Sequence, residues 1–82
     1  MPAVPGKSGL RNLPKKIREL KAMLKKAGFS EHPGKGSHTK WLHPLYPGRV
    51  TLSGKDGSDA KPYQEKEIAE AIRIVFQQGG GD

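Results

Sequence analysis

The chain has 82 residues, with 15 Lys and Arg against 8 Asp and Glu, no Cys, and a formal charge of +7. That length holds one small domain burying only about 60% of its unfolded surface, which favours a thin core and a surface site over a deep cofactor cavity. The absence of cysteine excludes disulfide scaffolds, Cys-ligated zinc and thiol catalysis, and no apolar run approaches the ~20 residues of a membrane span.

Residues 1–12 carry two Pro and two Gly without periodicity and read as a flexible arm. They lack the apolar core of a signal peptide, so a cytoplasmic protein is expected. Residues 13–77 read as the folded domain, and the Gly-rich end, 78–82, as a disordered tail.

A first helix is predicted over residues 14–27. Leu13, Ile17, Leu20, Leu24 and Ala27 recur at helical spacing, Pro14 suits the first helical position, and Gly28 suits the residue that ends a helix. Its opposite face carries Lys15, Arg18, Lys21, Lys25 and Lys26, with Glu19 the only acid. A face of that composition is either simply solvated or a contact surface for a polyanion, and the charge ratio favours the polyanion. The basic character is concentrated here: residues 1–28 hold eight bases and one acid, whereas residues 62–82 hold two bases and four acids.

Three short strands are predicted next, over Phe29–His32, Ser37–His43 and Arg49–Ser53. Turn signals separate them at Pro33-Gly34-Lys35-Gly36 and at Pro44–Gly48. In the second strand, alternation places Thr39 and Trp41 on one face and His38, Lys40 and Leu42 on the other. Residues 54–62 form a polar loop, where Asp56 and Asp59 weaken any phosphate-binding role. A second helix is predicted over 63–77, with Ile68, Ala71, Ile72, Val75 and Phe76 as its apolar stripe. The fold class is therefore α+β in the order α-β-β-β-α, a three-stranded antiparallel sheet with two helices on one face and solvent on the other. Phe29, Trp41 and Phe76 are expected in the core, with Tyr63 packed at the start of the second helix and Tyr46 as the exposed aromatic.

The densest polar cluster is Gly34-Lys35-Gly36-Ser37-His38-Thr39-Lys40. Lys35 and Lys40 are suited to phosphate. Imidazole is the side chain that exchanges its proton near neutrality. A solvent-facing His38 beside cations on a rigid strand can act as general base for an RNA 2′-hydroxyl, and that reaction requires no metal. The plainer reading makes His38 a surface residue, Gly34 and Gly36 a turn, and the lysines solvated. The spacing of His32, His38 and His43 matches no zinc pattern, so neither a metal nor another cofactor is expected.

The run Lys16-Ile17-Arg18-Glu19-Leu20, Leu24-Lys25-Lys26-Ala27-Gly28-Phe29, Gly36-Ser37-His38-Thr39-Lys40-Trp41, His43-Pro44 and Arg49-Val50-Thr51-Leu52 resembles the HicA (YcfA-like) toxins. The resemblance implies a double-stranded-RNA-binding-domain-like fold and an mRNA interferase, the toxin half of a type II toxin–antitoxin pair. It carries the family's catalytic histidine onto His38 and implies a HicB-like antitoxin that covers the site. On this reading the substrate is single-stranded RNA or mRNA. Lys35 and Lys40 bind the phosphate, Gly36 and Ser37 belong to the same RNA-binding group by forming the turn and its local hydrogen bonds, and Lys15, Arg18, Lys21 and Lys25 hold the RNA. The competing readings are a non-catalytic RNA-binding module of the same fold and a small module docking on an acidic protein. The acids Glu65 and Glu67 at the start of the second helix argue against a duplex-RNA binder, which needs lysines there.

Overall fold

A computed structural model of the chain describes residues 14–80. The expected arm, 1–12, and Leu13 of the first apolar stripe lie outside the described residues, as do residues 81–82 of the expected tail. The elements follow the predicted order: α1 (Ile17–Lys26), β1 (Ser30–Pro33), β2 (Thr39–Leu42), β3 (Val50–Leu52) and α2 (Pro62–Val75). The strands form one antiparallel sheet in the order β1-β2-β3. No helix among the described residues is long and apolar enough to cross a membrane.

Both helices open in the same way. A lysine (Lys16 or Lys61) stands in extended conformation at the N-cap. The side chain three residues on then turns back to accept the cap's own N–H, Glu19 at 3.0 Å and Gln64 at 2.8 Å. Pro14 is therefore not the first residue of α1. The backbone of Lys15 and Lys16 is engaged by the loop before α2: Ala60 donates to the Lys15 carbonyl at 2.7 Å, and Lys16 pairs with Asp59 as an isolated bridge. The same loop satisfies two otherwise unpartnered donors of the first turn of α1, Ile17 N–H on Ser58 O and Arg18 N–H on Asp56 O. In α2 a proline does occupy the first position, as Pro62. Gly28, at φ 99°, follows the C-cap of α1.

The core lies between the helices and one face of the sheet. Ile17, Leu20 and Leu24 of α1 and Ile68, Ala71 and Val75 of α2 meet Phe29, Trp41, Val50 and Leu52. Trp41 is fully buried. Its indole N–H donates to the Thr39 hydroxyl at 2.9 Å, which in turn donates to the Leu52 carbonyl at 3.3 Å, so the polar edge of the largest core side chain is satisfied across β2 and β3. Gln64 is also buried, and its amide donates to the Ser53 carbonyl at 3.0 Å, tying the start of α2 to the end of β3.

Three aromatic expectations are corrected. Phe76 is 53% exposed: the core stripe of α2 ends at Val75, and Phe76 opens the wide turn Phe76–Gly80 on the rim of a shallow apolar groove with Met23, Ala27 and Ile72. The expected tail overlaps this turn at residues 78–80. Tyr63 does not pack at the start of α2 but is 60% exposed, because Gln64 takes the inward position there. Tyr46 is not an exposed platform. It is half-buried against Phe29, with ring centroids 5.8 Å apart.

Candidate functional site

Among the described residues, the second face of the sheet carries no helix. Strand alternation and register define what stands on it. His32, Lys40 and Thr51 are cross-strand partners in one row, while Glu31, Trp41 and Val50 form the neighbouring row on the helix side. Glu31 reaches Lys25 of α1 at 3.8 Å, as a residue on the helix side must. The open-face positions are then Ser30 and His32 on β1, Lys40 and Leu42 on β2, and Thr51 on β3. His38 precedes β2 and Arg49 precedes β3, in step with that face, and all seven residues are exposed. No Asp or Glu stands among them.

The hairpin between β1 and β2 positions His38. Its N–H donates to the Lys35 carbonyl at 2.9 Å and its carbonyl accepts the Gly34 N–H at 3.0 Å. Gly36 sits inside this turn at φ 57°, a conformation that β-carbon sterics disfavour. A β-carbon on Gly34 would meet the His38 carbonyl oxygen at 3.1 Å, so Gly34 is glycine because the backbone of His38 lies against it. Ser37 accepts the Gly54 N–H at 3.3 Å and ties the turn to the end of β3. Gly36 and Ser37 thus shape the turn.

Among the described residues the His38 ring has one hydrogen-bond partner, the Lys35 carbonyl, 3.0 Å from Nδ1. A carbonyl only accepts, so Nδ1 carries the proton in this bond. In the neutral ring the lone pair is then on Nε2. The turn therefore selects the tautomer whose free nitrogen is the basic one, on an exposed side chain.

His43 is held differently. Its Nδ1 accepts the Leu45 N–H at 2.9 Å, its carbonyl accepts the Tyr46 N–H, and its ring lies 5.1 Å from Phe29 on the helix side. It braces the turn after β2. His43 and His38 therefore stand on opposite sides of the sheet, and no three His, Asp or Glu side chains converge as metal ligands among the described residues.

The cations divide into two groups. On the helix side, Lys16 bonds Asp59 at 2.6 Å, Lys21 bonds Asp56 at 2.8 Å and Lys25 meets Glu31. Lys15 is not on α1; it lies in the extended segment before it, and its N–H donates to Glu65 at 3.0 Å. Arg18 is exposed on α1. The two loop acids thus serve to anchor the 54–61 loop to α1. By contrast, Lys35, Lys40 and Arg49 have no carboxylate within 4.0 Å among the described residues. Arg49 is the cation that reading the sequence missed as a site residue. Its place in the Arg49-Val50-Thr51 motif was visible, but its face depends on the register with β2.

The loop pairing carries a pH signature. Asp56 lies below its ordinary value of 3.8, first because Lys21 donates a hydrogen bond to it and second because of the charge on Lys21, with Arg18 and Lys25 adding less. A carboxyl whose folded value is lowered stabilises the fold above its unfolded value and loses that contribution as pH falls through the folded one. Asp56→Asn is therefore expected to lower the urea midpoint slightly near neutrality, with the difference from the parent shrinking as pH falls below 3.8 and gone once it is below the lowered folded value. A difference that persists in acid would exclude the ion pair as its cause.

A family model described as "HicA toxin of bacterial toxin-antitoxin" matches residues 17–74. The chain belongs to the HicA toxin family. No curated protein and no solved structure matches it. The match starts on the first residue of α1 and ends one residue short of the end of α2, so the HicA unit is the whole α-β-β-β-α layout described above. HicA chains are the toxin half of a toxin–antitoxin pair, which implies an antitoxin partner for this one.

Proposed function

We propose that this HicA chain is an endoribonuclease that cuts single-stranded mRNA in the cytoplasm without a metal, with His38 as general base. The observation that carries the reading is the exposed His38 ring, held by the Lys35 carbonyl in the tautomer that frees Nε2, on a sheet face with cations and, among the described residues, no carboxylate. Nε2 takes the proton of a ribose 2′-hydroxyl, and the 2′-oxygen attacks the adjacent phosphorus. Lys35, Lys40 and Arg49 grip the phosphate and offset the charge that grows on its oxygens. The 5′-oxygen leaves, giving a 2′,3′-cyclic phosphate. Lys15, Arg18, Lys21 and Lys25 form the outlying basic surface. Lys21 and Lys25 offer less to RNA, because Asp56 and Glu31 compete with phosphate for them.

The same charge pattern suits the partner. A HicB-like antitoxin presenting acids to the open face would cover His38 and offset part of the +7.

The test is incubation of the purified chain with single-stranded RNA in the presence of a chelator. Cleavage is expected, with fragments ending in 2′,3′-cyclic phosphate. Binding that weakens steeply with salt but leaves the RNA whole would favour a non-catalytic RNA-binding module instead.

A further inference from the structure

Cleavage by the proposed route needs a second proton carrier. The 5′-alkoxide is a poor leaving group unless a general acid protonates it, and His38 cannot serve while it holds the proton of the 2′-hydroxyl. The attacking and departing oxygens stand in line on opposite sides of the phosphorus. The acid must therefore sit across the phosphate from the base, on the same surface, with a proton to give near neutrality.

One further side chain on the open face meets those conditions. His32, on β1, is exposed and stands directly opposite Lys40 in the register, with His38 two residues before Lys40 on the neighbouring strand. His32 and His38 are thus diagonal neighbours across an antiparallel pair, about 7–8 Å apart, a distance that long side chains bridge. Lys40 stands beside both. The other polar groups of this face do not fit the role. Ammonium and guanidinium groups hold their protons too tightly, and the hydroxyls of Ser30 and Thr51 do not ionise in this range. The remaining imidazole, His43, is on the helix side against Phe29.

We propose that His32 is the general acid of this site. This rests on the reading of His38 as base. His38 Nε2 accepts the 2′-hydroxyl proton as the 2′-oxygen–phosphorus bond forms. The phosphorus–5′-oxygen bond breaks, and the imidazolium of His32 gives its proton to the departing 5′-oxygen. Lys40, beside both residues, neutralises the phosphoryl oxygens. The products are a 2′,3′-cyclic phosphate and a 5′-hydroxyl, with one proton taken up by His38 and one released by His32, and no water consumed.

The experiment uses an RNA that the parent cuts at one mapped linkage, and the same RNA with sulfur replacing the bridging 5′-oxygen there. A thiolate leaves without being protonated, so the sulfur substrate does not need the acid. His32→Gln is expected to slow the oxygen substrate about a hundredfold or more and to stay within about tenfold of the parent on the sulfur substrate. His38→Gln is expected to be slow on both. The proposal is overturned if His32→Gln matches the parent on the oxygen substrate, or loses the same factor on both, as a binding or folding defect would. The base assignment falls separately, if His38→Gln cuts both RNAs at the parent rate.

Discussion

Replacing His38 with alanine is expected to slow RNA cleavage by about 10²–10⁴-fold, the usual worth of a positioned acid or base, while changing folding stability by no more than about 0.5 kcal/mol. The two effects separate because the ring is exposed; its one hydrogen bond among the described residues is to the Lys35 carbonyl, and water can replace it. His38→Asn sharpens the test. The asparagine amide can still donate to that carbonyl and keep the turn closed, but it cannot accept a proton from a 2′-hydroxyl. If the orientation of the turn were all that mattered, the asparagine variant would retain activity. If proton transfer matters, it should be as slow as alanine. Initial rates on one RNA, with urea midpoints for each variant, decide between them. An asparagine variant that cuts at the parent rate would remove His38 from the chemistry.

Much of this site could be read before the fold was known, for local reasons. Gly36-Ser37-His38 lies within one turn, and two-residue alternation along β2 is enough to set Lys40 with His38 and Trp41 against the core. What was not legible depended on long separations in sequence. Lys21 meets Asp56 across 35 residues and Lys25 faces Glu31 of β1, so two bases of a face that reads as five bases against one acid are matched from other elements. The place of His32 opposite Lys40, and of Arg49 on the same side, follows from strand register, which short strands with polar ends do not specify on their own. The aromatic errors have a similar source. Helical periodicity gives the direction of Phe76 but not where the facing element stops, and α1 ends at Lys26. At Tyr63 and Gln64, polarity suggested the tyrosine would turn inward. The glutamine does so instead, because its amide satisfies both the Lys61 N–H and the Ser53 carbonyl.

Trp41→Ala should be the most damaging change to the fold. Trp41 has no exposed surface and is the largest side chain in the core, bridging α1, α2 and the inner face of the sheet. Truncating a buried Trp costs about 3–5 kcal/mol through lost transfer energy and the cavity left behind. A domain of this length holds only about 4–12 kcal/mol in total, so the variant should be largely or wholly unfolded at physiological temperature. Trp41→Phe separates packing from polarity. It keeps most of the apolar volume but leaves the Thr39 hydroxyl without its indole donor, a loss of about 1 kcal/mol for the hydrogen bond plus the small void. Urea unfolding followed by far-UV circular dichroism should therefore rank parent, Trp41→Phe and Trp41→Ala in that order, with the larger step at the second substitution. Because His38 and Lys40 stand on the other face of the same strand, Trp41→Phe should still cut RNA wherever it is folded. A Trp41→Ala midpoint equal to the parent's would mean that the sheet does not bury this side chain. The open face would then have to be sought on the other side of β2, taking the proposed roles of His38 and His32 with it.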